Sequence, residues 1–578
     1  SGKFHVWAFP PLVKLNPIRP VAMFGDMGDK APASAANAVW DGKTVNIHGC
    51  RGEYVSYQLC IEKLVGDSLA GVKITPEALK GPGGSSIGGS EIELFKNWYA
   101  KNRAGKWQPA YLIPIKHTEA LAIPDPVRKL RGQRNQGVYV DVYIPKDAPA
   151  GDYAGAVKVE AEGAPAVTIP VKLKVYDFVL PDKLTFWPEL NAYQVPRDAH
   201  DYYRLAHQNR NIMNCWRFTP QTSGSGKDLK LRWDRYDKAV GPLLSGEAFK
   251  NNRRSGAPVE CMYLPFEDSW PTPLTKKTYN YKGYWPKRGD DNEHIVARDM
   301  TAPYIGDALS QDYKDAFLAA QKQFVEHFKA KGWNRTEMQC FFGGKATHRT
   351  KYGSNMWWTT DEPYHWEDWL SLQFFDRLWT RGRKALGVPK TRWASRADIS
   401  RPQWQGKVLD GVVDTVYFGT GAFTSPNSYR RCRLLGQDTG LKVMVYGGCN
   451  KDDASNSQTV VWILNAWTNG ADAVLPWQTL SRTDRALDVN DAATSGNALL
   501  TPAKRLGFTV VADMRIKAMR EGQQLAEYLN MLVDRYDLTR EQANWSKPRW
   551  AARISASIAT ATAPAARRSK RNRPPSPA

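Results

Sequence analysis

The sequence has no apolar run approaching the ~18 residues that a membrane-spanning helix needs, so no membrane span and a soluble chain are expected. Cysteine is scarce: seven residues, an odd number, lie far apart with no CxxC pair, which fits neither a disulfide framework nor a zinc site. Cys215, Cys261 and Cys340 each fall inside an apolar stretch read as a buried strand, where cysteine acts as a small apolar side chain. Cys50 and Cys60 are placed so that they can pair, but nothing requires it. Acidic residues are missing from positions 547–578, which carry eight basic ones. The sequence opens on Ser1 without methionine or signal peptide, which reads as a processed or trimmed start. A secreted, periplasmic or cell-surface location is therefore expected.

Against these gaps stand 22 tryptophans and a formal charge of +22, of which +14 remains once the basic C-terminal stretch is set aside. Large cores account for most of the tryptophans, although indole faces also suit sugar rings. A charge of this size favours anionic partners, an acidic polysaccharide or an anionic envelope among them. Nucleic acid rests on charge alone, since no recognition motif supports it, and is not expected.

Residues 45–176 alternate apolar and polar positions with period two, as in "EYVSYQLCIE" and "AVTIPVKLKVYDF", broken by turns such as "KDAPAGDYAG". This pattern predicts an antiparallel β-sandwich. Pro181, in "DFVLPDKL", cannot continue a central strand and marks the hand-over to a second domain. Beyond it, short apolar runs near 185–193, 211–218, 258–265, 336–343, 391–397, 413–419, 441–447 and 472–478 read as strands. Helical stretches at 311–331, 365–386, 456–469 and 514–536 lie between or after them. Eight strands alternating with helices predict a (β/α)8 barrel, with an open sheet as the alternative. The expected architecture is multidomain, all-β then α/β: a sandwich at 1–180, a TIM barrel at 181–540 and a basic low-complexity tail at 541–578. Such a tail is expected to take its order from a neighbouring chain, in a homo-oligomer or larger assembly. The long insertion 266–310 is rich in Lys, Arg, Tyr and Trp and can serve as a flap over the active face or as packed loop. Its "GDDNEH" lacks the spacing of a calcium loop.

The stretch "WWTTDEPYHWEDWL" places Asp361 and Glu362 side by side before Pro363. Two neighbours on a regular strand face opposite ways, so both acids reach one hollow only if the backbone turns between them. Pro363 supplies that turn. Converging carboxylates repel as anions, and one then keeps a proton that it can donate at neutral pH. The competing reading is an acidic start to the helix that follows.

These segments, with "GEYVSYQLCIE", "LKVYDFVLP", "FFGGK", "RADISRPQWQ", "AWTNGADAVLPWQT" and "MRIKAMREGQQLAEYL", resemble the glycoside hydrolase family 123-like proteins over most of the chain. The resemblance implies a β-sandwich on a (β/α)8 barrel and, from the characterised members, exo-acting hydrolysis of β-N-acetylgalactosaminides assisted by the substrate's own 2-acetamido oxygen. On that basis Glu362 is the general acid, and Asp361 orients the acetamido group and stabilises the oxazolinium ion. No metal or organic cofactor is implied. In this chain "ATHRTKYGSNM" separates "FFGGK" from the acids, so the galactosamine specificity does not carry over; a 2-acetamido sugar or related glycan is the expected substrate. "MRIKAMREG" has Lys517 where members often carry an acid, which concerns the last helix.

Strand ends supply the other expected substrate contacts: Trp357 and Trp358 beside the acids, Arg396 and Asp398 after the fifth strand, Tyr446 after the seventh, and Trp477 and Gln478 after the eighth. Each also has a core or loop-bracing reading, and Arg396 with Asp398 can be a plain ion pair. Trp404 is read as shaping its loop. The rival to a hydrolase is a non-catalytic glycan-binding or surface-assembly protein that keeps the barrel, with its acids tied to Arg or Lys.

Overall fold

A computed structural model describes residues 2–27, 33–116, 118–192, 195–215, 218–273, 304–345, 358–425, 441–447, 451–489 and 498–543. Outside them lie most of the insertion, the segment 346–357, Cys432, Cys449 and the tail from 544 onward. The chain forms two compact units, Ser1–Tyr528 and Leu529–Ala578. Within the second, the described part comprises the end of the helix Met514–Tyr536 and a turn in which Ala543 N donates to Thr539 O at 3.0 Å. The first unit holds every described strand.

Its β-rich region is two sheets facing each other across a common core. Val167–Val179 shows the cause: Ile169, Val171, Leu173 and Val175 are buried, while Thr168, Pro170, Lys172 and Lys174 between them are exposed. The other sheet has a different character. Its central strand Asn135–Tyr143 is buried at every position, because its outer face is covered too. There Asp141 accepts from Lys517 Nζ at 2.7 Å and Arg520 Nη2 at 2.5 Å, both on the helix Met514–Tyr536. The lysine at 517 thus serves to bolt that helix onto the sheet. The same sheet also gains two strands that the sequence pattern did not predict, Leu500–Ala503 and Phe508–Asp513. They form a hairpin turned at Gly507 (φ 81°) and dock beside Trp107–Ile115.

The eight parallel strands of the barrel, in chain order, are Trp187–Ala192, Ile212–Cys215, Cys261–Leu264, Glu337–Phe341, Trp393–Ile399, Thr415–Gly419, Lys442–Gly447 and Ala473–Pro476. They fall where the apolar runs predict. The helices Gln311–Ala330, Trp366–Ala385, Ser457–Thr468 and Met514–Tyr536 also match the predicted stretches. Backbone ladders join every neighbouring pair except the second and third strands, so the barrel is nearly closed and the open-sheet alternative falls. At that seam a side chain replaces the ladder: Tyr263 N donates to Asn214 Oδ1 at 2.9 Å, and Asn214 Nδ2 donates to Glu189 Oε1 at 3.0 Å. Cys50, Cys60, Cys215, Cys261 and Cys340 are buried free thiols. Among the described residues no helix is long and apolar enough to cross a membrane.

Candidate active site

The fourth barrel strand ends at Phe341, twenty positions before the first acid, yet the acids return to its C-terminal end. Gly344 makes the junction. Its carbonyl accepts from Thr360 N at 2.8 Å and Asp361 N at 3.1 Å, and its N–H donates to Thr360 Oγ1 at 2.9 Å. Glu362 N then donates to Asp398 O on the fifth strand at 3.0 Å. The turn between the acids is made at Glu362 itself, whose φ of 58° is left-handed. That conformation is costly for a residue with a Cβ and persists only where its surroundings hold it. Pro363 follows it.

Helix capping does not explain the pair. His365 is the N-cap of the helix Trp366–Ala385, and Asp368 in its first turn completes the capping box, its carboxylate accepting from Thr359 N at 2.8 Å, Tyr364 N at 3.2 Å and His365 N at 2.9 Å. Asp361 and Glu362 are left for other work, and they converge on one cation. Lys345 Nζ lies 3.1 Å from Asp361 Oδ2 and 3.0 Å from Glu362 Oε2. The Tyr446 hydroxyl donates to the other Glu362 oxygen from across the mouth.

The two carboxyls are electrostatically unequal. Burial pushes Asp361 up to about 7, against the pull of Lys345 and with repulsion from Asp398 and Glu362. Glu362 also feels burial, but the Tyr446 hydrogen bond, Lys345 and Arg401 outweigh it and hold the group below its ordinary value. Lys345 itself is raised, because the two acids overcome the cost of burying its charge. In the free protein Asp361 therefore keeps a proton to higher pH than Glu362 does, the reverse of the roles the resemblance implies.

The other expected contacts separate into three groups. Tyr446, Asp398, Trp477 and Gln478 lie at or near the C-terminal end of the barrel. Asp398 is nearly buried and is raised by burial against the pull of Arg396; Trp477 is 50% exposed. Arg396 and Trp358 are placed differently: both are wholly buried. Arg396 donates to Asp398 Oδ1 and Oδ2 at 2.9 and 3.1 Å, to Glu189 Oε1 at 2.7 Å and to Gln339 Oε1 at 3.0 Å, inside the barrel. Trp358 packs edge-on against Phe375, 6.3 Å between centroids, as part of the core. Trp357 lies outside the described residues.

The structure adds residues that the sequence reading passed over. Lys345 was legible only as the end of "FFGGK", directly after a barrel strand. Next to the acids, Tyr364, Trp366 and Trp404 are exposed aromatic side chains. The Arg401 guanidinium lies 5.1 Å from the Tyr364 ring and 5.3 Å from that of Trp404, and the two rings meet edge-to-face at 5.7 Å. Trp404 therefore offers an aromatic surface as well as shaping its loop. The described residues contain no group of three or more His, Cys, Asp or Glu able to hold a metal.

No family model and no curated protein matches the chain. Its architecture, a two-sheet β region with a nearly closed parallel barrel, is nonetheless a glycoside hydrolase-like fold. The likeness is to a family 123 glycoside hydrolase from Clostridium perfringens, solved in a study of glycolipid glycan hydrolysis. That structure covers 92% of this chain and 89% of its own, at a TM-score of 0.59 and 11% identity. A family 39 glycoside hydrolase from Bacteroides cellulosilyticus WH2 matches more loosely, with a TM-score of 0.35 and 11% identity over 79% of this chain and 81% of that one. At such identities the likeness concerns the fold.

Proposed function

We propose that this protein is a retaining, substrate-assisted exo-glycosidase acting on a 2-acetamido sugar or a related glycan. One observation carries the reading: two adjacent acids, spared from capping by Asp368, converge at the C-terminal mouth of the barrel with opposite shifts in proton affinity. In the reaction, the acetamido oxygen attacks the anomeric carbon as the bond to the leaving oxygen breaks and that oxygen takes a proton from the enzyme. Water then opens the oxazolinium ion from the opposite face, which restores the original configuration.

Lys345 couples the proton affinities of the two acids. Where the acetamido N–H donates to Asp361 in place of Lys345, it restores only part of the pull that the cation exerted there. Moving the lysine away from Glu362 raises that group's proton affinity. With its proton affinity raised, Glu362 acts as the acid, and Asp361 steadies the acetamido group. Trp477 and the Tyr364, Trp366 and Trp404 surface offer faces for sugar rings. A secreted, periplasmic or cell-surface location, an anionic glycan partner and a homo-oligomeric assembly belong to the same proposal.

The test compares native protein with Glu362→Gln on aryl 2-acetamido-2-deoxyhexosides of graded leaving-group acidity. A rate loss that grows as the leaving group becomes poorer supports the donor role, and a uniform loss removes it. One observation favours a second reading, a non-catalytic glycan binder: in the free protein Lys345 and Tyr446 already occupy both acids. Glycan binding without turnover on a broad panel would establish that reading instead.

A further inference from the structure

A cavity lies at the C-terminal end of the barrel, beyond the eighth strand. Trp477 and Gln478 follow that strand directly, and Gln478, with φ 56°, is left-handed like Glu362. Beside Gln478 is a hollow of about 330 Å³. It is walled by Ala192 at the end of the first strand, Val195–Asp198 with Tyr202 of the helix Ala199–Gln208 that follows, Gln478 with Leu480–Arg482, and the hairpin residues Pro502, Lys504 and Thr509. A volume near the lower end of small-molecule sites leaves room for about one sugar residue.

Its charges are unbalanced. Arg197 and Arg482 line it from two separate segments, both exposed, and neither has a hydrogen-bond or ion-pair partner among the described residues. Lys504, the third cation, pairs with Asp198 at 3.3 Å, and Asp198 is the only carboxylate among the lining residues. A guanidinium presents donors in a planar fork that matches a carboxylate or sulfate, so two unpaired forks on one hollow suit an oxyanion. Single surface arginines are ordinarily just solvated. Here both border one concave site on the barrel face where ligands bind, beside a residue held in a strained conformation.

We propose that this cavity is a subsite for an anionic sugar, its carboxylate or sulfate held between Arg197 and Arg482. This rests on the reading of the protein as glycan-acting and narrows its substrate to acidic glycans. The anionic sugar occupies the hollow, while the bond to be cleaved lies at the acid pair.

The experiment is titration calorimetry on the full chain carrying Glu362→Gln, so that binding is read without turnover. The probes are glucuronate, N-acetylgalactosamine 6-sulfate, neutral N-acetylgalactosamine and inorganic sulfate. Either or both anionic sugars should bind about 10- to 100-fold more tightly than the neutral one, and which does so distinguishes carboxylate from sulfate. Arg197→Gln with Arg482→Gln should abolish that preference while leaving neutral-sugar affinity unchanged. Arg482→Lys, which keeps the charge and loses the fork, should weaken it in part. Equal affinity for charged and neutral sugars, an undiminished preference in the double variant, or inorganic sulfate binding as tightly as the sulfated sugar would each overturn the subsite. Anionic sugars that bind through these arginines to a native protein without hydrolytic activity would uphold the subsite and sink the hydrolase reading alone.

Discussion

Two places in this barrel set one cation between two carboxylates, and they differ in almost every other respect. Inside the barrel, Arg396 joins Glu189 and Asp398 with no side-chain exposure of its own, and its guanidinium stacks 3.7 Å from the Tyr417 ring centroid. At the mouth, Lys345 joins Asp361 and Glu362 with its side chain 26% exposed. The arginine spends a rigid fork on four acceptor atoms, all of fixed geometry. The lysine is a point charge on a flexible stem, able to leave when a ligand arrives. Burial and a full set of hydrogen bonds make the first cluster a brace. Partial exposure and a flexible side chain leave the second open to rearrangement.

The comparison breaks most visibly at the acids. Glu362→Gln should lower hydrolysis of a poor-leaving-group substrate by about 10²- to 10⁴-fold while leaving the thermal midpoint nearly unchanged. A large fall in the midpoint would mean that the mouth is a brace as well. The converse change is Arg396→Met, which leaves Glu189 and Asp398 buried without their cation. It should cost about 3–5 kcal/mol of stability in urea unfolding, and unfolding curves that coincide with those of native protein would remove the brace assignment.

Asn214→Ala should cost less, about 1–3 kcal/mol. It strands the Tyr263 N–H at the seam and takes one donor from Glu189. The smallest effect is electrostatic. Lys345 pulls the proton affinities of both acids down, so Lys345→Met raises both. Activity that needs a protonated acid is lost as pH rises, and that alkaline limb should move to higher pH in the variant. A limb that stays in place would show that the lysine does not govern the proton.

Much of this was legible beforehand. The barrel strands and the four long helices stand where apolar runs and amphipathic stretches put them, and the adjacency of Asp361, Glu362 and Pro363 identified the pair. Period-two alternation also puts Arg396 and Asp398 on the same inward face. It does not say how far each lies along the barrel axis, and depth is what makes Arg396 a brace and leaves Asp398 beside the acids. Nor does tryptophan count separate Trp358, sealed against Phe375, from the exposed Trp404 and Trp477. The hairpin Leu500–Asp513 was missed because its short strands sit where a barrel connection was expected, and its partner strand lies about four hundred residues earlier.

The sequence by itself determined the kind and order of the elements, because strand and helix periodicities are written in neighbouring side chains. Tertiary structure alone decided which charge faces which: Lys345 meets Glu362 across 17 positions, Tyr446 across 84, and Arg396 meets Glu189 across 207. Those pairings depend on how loops close and on which groups are removed from water. The unequal proton affinities of Asp361 and Glu362 therefore exist only in the folded chain.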